Sequence, residues 1–342
     1  MNQVDYITSF KIARSCDIVF SEALTVDQFQ KLKIENFSII HKDNRQIIYK
    51  LKDFTIKSNA TIFTNTYFLN DLFYLIKKVD PEYNLTLVTN QTDHLLNYDL
   101  YKRKPDCVKN WYSINLEHVN QNLIPIPLGL SNDYSPKNLL PADLNTMNSE
   151  FLDMKNKMYV NFNKNTNFSE REALYDKFEN LDWVVVQNSN LSKEDYFTEL
   201  SKYKFSLSPW GNGIDTHRVW ESLYIGTIPI TKYHHTFSTS TDLPILFVND
   251  YSEITENLLL NYLEKFNQNK FNFKKLENSY WSGLINNHYV DIESAQTNIK
   301  SSNIISYLYI FRYKYQQFIN RYIKILKFYL KKLKKIITLV NR

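Results

Sequence analysis

Short apolar runs alternate with segments of helical period along most of the chain. In the first half, CDIVF (16–20), FSII (37–40), ATIFT (60–64), LTLVT (85–89) and NLIPIPLGL (122–130) have the length and the β-branched or aromatic content of buried strands. Between the third and fourth runs, NTYFLNDLFYLIKKVDPEYN keeps a helical period until Pro81. Strands feeding helices feeding strands predict an open parallel sheet. Residues 131–156 contain two prolines and many small polar side chains without a period, which predicts a linker. The alternation then restarts: KMYVNF (157–162) reads as a strand, 169–180 as a helix opened by the pair Ser169 and Glu172, and WVVVQ (183–187) as a strand. A helix from Ser192 to about Tyr203, the strand KFSLS (204–208), a helix over 216–225, the strands TIPIT and PILFV (244–248), and a helix over 252–266 follow. No internal repeat of fixed period is present.

Length agrees with two units, since 342 residues exceed one ordinary core. The expected division is a first α/β domain over 1–145, a second over 150–295, and a tail over 296–342. Charge sharpens the last boundary. Residues 294–342 hold eleven Lys and Arg and no Asp or Glu, leaving 30 basic against 36 acidic residues before them. Basicity confined to one terminal segment does not make the body a nucleic-acid binder, and nucleic acid is not an expected partner. Cys16 and Cys107 stand 91 positions apart with no companion motif, so neither a disulfide framework nor a zinc site is expected, and a reducing cytoplasmic setting fits best. The start of the chain lacks a basic then apolar leader pattern, and no run of 18 uninterrupted apolar residues occurs.

Glycine is scarce, with five in the chain, yet Gly211, Gly213 and Gly226 fall within FSLSPWGNGIDTHRVWESLYIGTIPI (205–230). The strand there ends at Pro209, and Asp215 or Thr216 can cap the helix that follows, leaving PWGNG as the loop. Glycines permit a positive φ and a close backbone approach, while a helix N-terminus offers unpaired amides and the positive end of its dipole. Gly211, Asn212 and Gly213, with Asp215, Thr216 and His217, are therefore expected around a diphosphate. Arg218 suits a phosphate fork, and Glu221 one turn later can accept from both hydroxyls of a ribose. An exposed i,i+3 ion pair between Arg218 and Glu221 is the plainer alternative, and Gly226 reads as a helix C-terminal glycine.

The same stretch resembles the nucleotide-sugar-binding region of exostosin-like glycosyltransferases, glycosyltransferase family 47 and relatives: a strand, a Pro and Gly loop, an Arg, then a Glu on a helix ending at Gly before an IPI strand. Weaker echoes are LVTNQTDH (87–94), NWYSIN (110–115) with IPIPLGL (124–130), VNFNKNTNFSER (160–171), and LPILFVND (243–250) followed by YW (280–281). Trp210 departs from the pattern, standing where many relatives carry Arg. The resemblance implies a GT-B architecture, two Rossmann-like domains facing a cleft, with the donor on the second and the acceptor on the first. It also implies inverting transfer from a nucleotide-diphosphate sugar, a UDP-sugar above others, to a hydroxyl of a glycan or lipid-linked acceptor. A scaffold that binds the nucleotide sugar without turnover is the alternative.

No Asp-x-Asp element occurs, so no metal is expected. No separate cofactor is expected either, and the leaving diphosphate then falls to Arg218, helix amides, and Arg171 or Lys164, with Asn163 and Asn167 also facing the cleft. Inversion needs a base from the first domain; Asp93, just after LTLVT, and Glu22, after CDIVF, are the candidates, although a loop Asp is also a common turn former. His234 and His235 sit in a polar loop, where acceptor contact and plain solvation are both open. The stretch 304–340 has apolar residues at helical spacing with only basic charges between them, as a basic amphipathic helix lying on an anionic membrane surface would; packing on the body or on a second copy is the alternative.

Overall fold

The computed structural model describes residues 4–135, 138–145, 154–287 and 295–301, with Phe311, Tyr315, Ile319 and Tyr322 beyond them. The first half contains β1 (Ile18–Leu24), β2 (Phe37–Lys42), β3 (Ile47–Leu51), β4 (Asp53–Lys57), β5 (Thr61–Asn65), β6 (Leu85–Asn90), β7 (Val108–Ser113) and β8 (Leu123–Pro125). Seven of these form one sheet in the order β2-β3-β1-β5-β6-β7-β8. From β1 to β8 neighbours run parallel, whereas β2 and β3 pair antiparallel at the edge. The second half contains β9 (Lys155–Val160), β10 (Val184–Val186), β11 (Tyr203–Leu207), β12 (Ile228–Lys232) and β13 (Leu246–Val248), all parallel, in the order β10-β9-β11-β12-β13. Two parallel-sheet α/β bodies are thus present, as the alternation predicts.

Burial explains the strand pattern. β5 and β6 are buried at every position, as expected of central parallel strands covered on both faces. The expected strand over 122–130 shortens to Leu123–Pro125, because Pro125 and Pro127 lack ladder donors. The helix expected from 169 begins instead at Phe168, with Asn167 at the cap, and the one expected over 252–266 becomes a short 3-10 turn followed by Glu256–Phe266 capped by Thr255.

After the second sheet the chain returns to the first. Helix Asn278–Asn286 buries Trp281 and Ile285 against Ile7, Ile12, Phe63 and Tyr112. β14 (Gln296–Lys300) then pairs antiparallel with β4, and Ile299 joins the core of Phe20, Ile56 and Leu72. The expected domain boundary at 295 falls just before this strand. The expected tail helix lies outside the described residues except at its four isolated positions. No helix among the described residues is long and apolar enough to cross a membrane.

Candidate functional site

A cavity of about 420 Å³ lies between the two halves and is lined by residues of both. Ten of the candidates named above for the nucleotide line it, Asn163, Arg171, Gly211, Asn212, Gly213, Asp215, Thr216, His217, Arg218 and Glu221, whereas Lys164 and Asn167 are not among its lining residues. Asp93, exposed on the turn after β6, lines the opposite wall.

The loop after β11 is not held by left-handed glycines, as positive φ is absent at Gly211 and Gly213 and appears instead at Gly226, where it ends helix His217–Ile225. Close approach is the reason for glycine here. A Cβ on Gly213 would sit 2.8 Å from Asn115 Nδ2, and one on Gly211 would sit 3.2 Å from a terminal nitrogen of Arg171. Arg171 is buried and spends its guanidinium on the loop itself. It donates to the carbonyls of Trp210 (2.8 Å), Pro209 (2.7 Å) and Asn163 (3.0 Å), and to Thr166 Oγ1 (2.6 Å). Burial, with Arg218 nearby, lowers its pKa to about 10, so it still contributes a positive charge at neutral pH. Asn163 meanwhile caps a 3-10 turn through Oδ1, accepting from the Asn165 amide at 2.9 Å.

Asp215 joins the halves. Its Oδ2 accepts from the Leu128 amide and its Oδ1 from Trp220 Nε1, both at 2.8 Å, while its own amide donates to Asn115 Oδ1 at 2.9 Å. Desolvation, opposed by those bonds, raises its carboxyl pKa to about 7. His217 adds a second tie, donating from Nδ1 to the Gly129 carbonyl at 2.8 Å. Thr216 holds the N-cap position of the following helix without a side-chain cap bond, and its Oγ1 has no partner among the described residues. The Val219 amide donates to the Thr216 carbonyl at 3.1 Å, which leaves the first-turn amides of His217 and Arg218 at the helix start beside the cavity, the arrangement that attracts anions.

Arg218 and Glu221 do not form the exposed ion pair that their spacing allows. Glu221 is buried, 4% exposed, and accepts from the Leu139 amide (3.3 Å) and from Tyr196 Oη (3.0 Å). Arg218 donates to the same Tyr196 oxygen at 2.8 Å, its guanidinium 4.8 Å above that ring. Sequence reasoning missed Tyr196 because it lies on a different helix, Lys193–Leu200, with nothing in its local pattern to single it out. Gln91 was missed as well. It lines the cavity at φ +71° beside Asp93, its amide side chain gripping the Ala23 backbone and Ser9.

Glu22 is placed elsewhere. It is fully buried in β1, pairs with Arg14, and does not line the cavity; burial raises its pKa to about 8. Lys164 lies over the Tyr175 ring at 4.4 Å, and Asn167 Nδ2 reaches the Trp210 carbonyl at 3.4 Å. His234 packs edge-on against Trp210, 5.4 Å between ring centres.

No protein-family profile matches the chain, so the exostosin-like resemblance has no support from that comparison, and no curated protein matches it. Among solved structures it is similar to an alpha1,3-fucosyltransferase with GDP-fucose (15% identity over 74% of this chain and 76% of that one, TM-score 0.32). It is also similar to the pneumococcal O-GlcNAc transferase GtfA in complex with UDP and GlcNAc (10% identity, 69% and 55%, TM-score 0.32). An alpha-glucosyltransferase in complex with UDP-glucose and DNA containing an abasic site is a third (9% identity, 67% and 74%, TM-score 0.28).

Proposed function

We propose that this protein is an inverting, metal-independent glycosyltransferase that moves a sugar from a nucleotide-diphosphate donor, a UDP-sugar above others, to a hydroxyl of a glycan or lipid-linked acceptor. The observation that carries the reading is the convergence, on one cavity between two α/β bodies, of the uncapped helix start at Thr216 with Arg218, Glu221 and the loop that Arg171 holds. In this reading the diphosphate lies against the first-turn amides and Arg218, and the ribose hydroxyls take the remaining lone pairs of Glu221. The acceptor enters from the wall that carries Asp93. Its hydroxyl oxygen attacks the anomeric carbon as the bond to the diphosphate oxygen breaks on the opposite face, and Asp93 takes the hydroxyl proton. Negative charge gathering on the leaving group is met by fixed donors.

The tail completes the reading as a peripheral anchor on an anionic membrane surface. At the described positions Phe311, Tyr315 and Tyr322 are helical and exposed, and Phe311 stacks on Tyr315 with ring centres 6.3 Å apart. Exposed aromatic groups in a stretch of sequence whose only charges are basic suit the interface of such a bilayer.

Calorimetric titration with UDP, GDP and their sugar conjugates, alongside sugar transfer and donor hydrolysis, tests the donor reading. Arg218→Ala is expected to weaken donor binding at least about tenfold, the loss of one charge-assisted hydrogen bond. Wild-type affinity in that variant, together with inactivity on every donor, would reject the proposal.

A further inference from the structure

Arg218 and Glu221 stand three residues apart on one helix, close enough for a direct ion pair that would occupy both groups. What prevents the pair is a phenol. Tyr196 Oη accepts from Arg218 at 2.8 Å and donates to Glu221 Oε2 at 3.0 Å, so the two charges meet through it. Burial raises the Tyr196 pKa well above its ordinary value, against the opposing pull of Arg218, and the oxygen stays protonated as a donor to Glu221. The phenol is itself fixed. Its helix is capped by Ser192, whose Oγ accepts from the Asp195 amide at 3.0 Å, and is anchored by the buried Phe197 and Leu200. Lys193, on the same helix, pairs with Asp143 at 2.6 Å. With Tyr196 and the Leu139 amide each taking one direction at the carboxylate, each oxygen of Glu221 keeps a second acceptor direction.

We propose that Tyr196 is a positioning residue for nucleoside recognition: it spaces Arg218 from Glu221 so that the carboxylate stays open to the ribose hydroxyls and the guanidinium to phosphate. The inference rests on the nucleotide-sugar reading above and deepens it. Without the hydroxyl, Arg218 closes directly onto Glu221 and both groups are lost to the ligand.

Titrating the full chain with UDP and 2′-deoxy-UDP, and with GDP and 2′-deoxy-GDP, separates positioning from simple structural support. The wild type is expected to prefer the ribonucleotide by about tenfold or more, the weight of one hydrogen bond to a charged group. Tyr196→Phe should lose most of that preference, bringing the ratio to within about threefold of unity. Glu221→Gln, which keeps the side chain's shape, should lose it too, and the double variant should lose no more than either single one. A Tyr196→Phe protein that retains the wild-type ratio overturns the inference, as does one in which ribo and deoxy forms weaken by the same factor. If Tyr196→Phe does not fold, Glu221→Gln decides: an unchanged ratio there removes the carboxylate that Tyr196 is said to position. Failure of all four nucleotides to bind the wild type instead overturns the donor reading itself, and this inference with it.

Discussion

Replacing Gly213 by Ala puts a single methyl group where the structure has no room. The new Cβ would lie 2.8 Å from Nδ2, 2.9 Å from Oδ1 and 3.1 Å from Cγ of Asn115. Asn115 cannot swing aside cheaply, being fully buried, at φ +53°, and accepting from the Asp215 amide at 2.9 Å. Overpacking of this kind costs about 1–3 kcal/mol, and moving Asn115 leaves the Asp215 amide unpaired for about 1–3 kcal/mol more. A gain of about 0.4–1 kcal/mol from restricting the unfolded chain opposes them. The net expectation for Gly213→Ala is a loss of about 1–5 kcal/mol, centred near 3. Gly211→Ala meets only a side-chain end of Arg171 at 3.2 Å and Thr216 Cγ2 at 3.5 Å, and should stay within about 1 kcal/mol of wild type. Urea unfolding of both variants, repeated in an Asn115→Gly background, measures the difference. With the amide side chain gone, the cost of Gly213→Ala should fall below about 1 kcal/mol, a coupling of the size seen for residues in contact. Equal losses from the two Ala substitutions, or an undiminished Gly213→Ala loss in the Asn115→Gly background, would refute the close-approach argument.

Two further outcomes are expected. Asp215 has its pKa raised from 3.8 to about 7, so the folded chain holds that proton more tightly than the unfolded one; its contribution to stability is fullest below about pH 4 and is lost as pH rises toward 7. Asp215→Asn removes this dependence and opposes one N–H donor with another, so the stability difference between wild type and variant, followed by urea unfolding across that range, should narrow as pH rises, and a widening difference would contradict the assignment. Replacing Lys331, Lys332, Lys334 and Lys335 by Glu should lower binding to phosphatidylserine vesicles by at least about a hundredfold, at about 1 kcal/mol per basic residue, and leave phosphatidylcholine binding unchanged; sedimentation with the vesicles decides it.

The parallel strands and the glycine loop after β11 are legible in the sequence because each is a local pattern: β-branched runs of strand length, and glycines between a strand and a helix cap. The wider arrangement is not. β3 and β4 are harder to read although Asp43 marks the turn before β3, accepting from the amides of Arg45 and Gln46; β3 is a short run that carries a buried Lys50, and β4 alternates between exposed and more buried positions, a pattern that resembles loop. The use of Gly213 was likewise hidden, because the atoms it accommodates belong to Asn115, 98 positions earlier. Arg171 lines the cavity, but its four bonds to the loop and its neighbouring turn depend on three carbonyls and the Thr166 hydroxyl brought in by tertiary packing. Tyr196 shows the same limit: a phenol that organises two charges on another helix leaves no trace in spacing.

The return of the chain after the second sheet bears on how the molecule comes into being. Trp281, Ile285 and Ile299 fill places in the first body that nothing translated earlier occupies. While the ribosome is still making the second sheet, the opening 130 residues wait with an apolar flank uncovered, so the first half to be synthesised is the last to be finished.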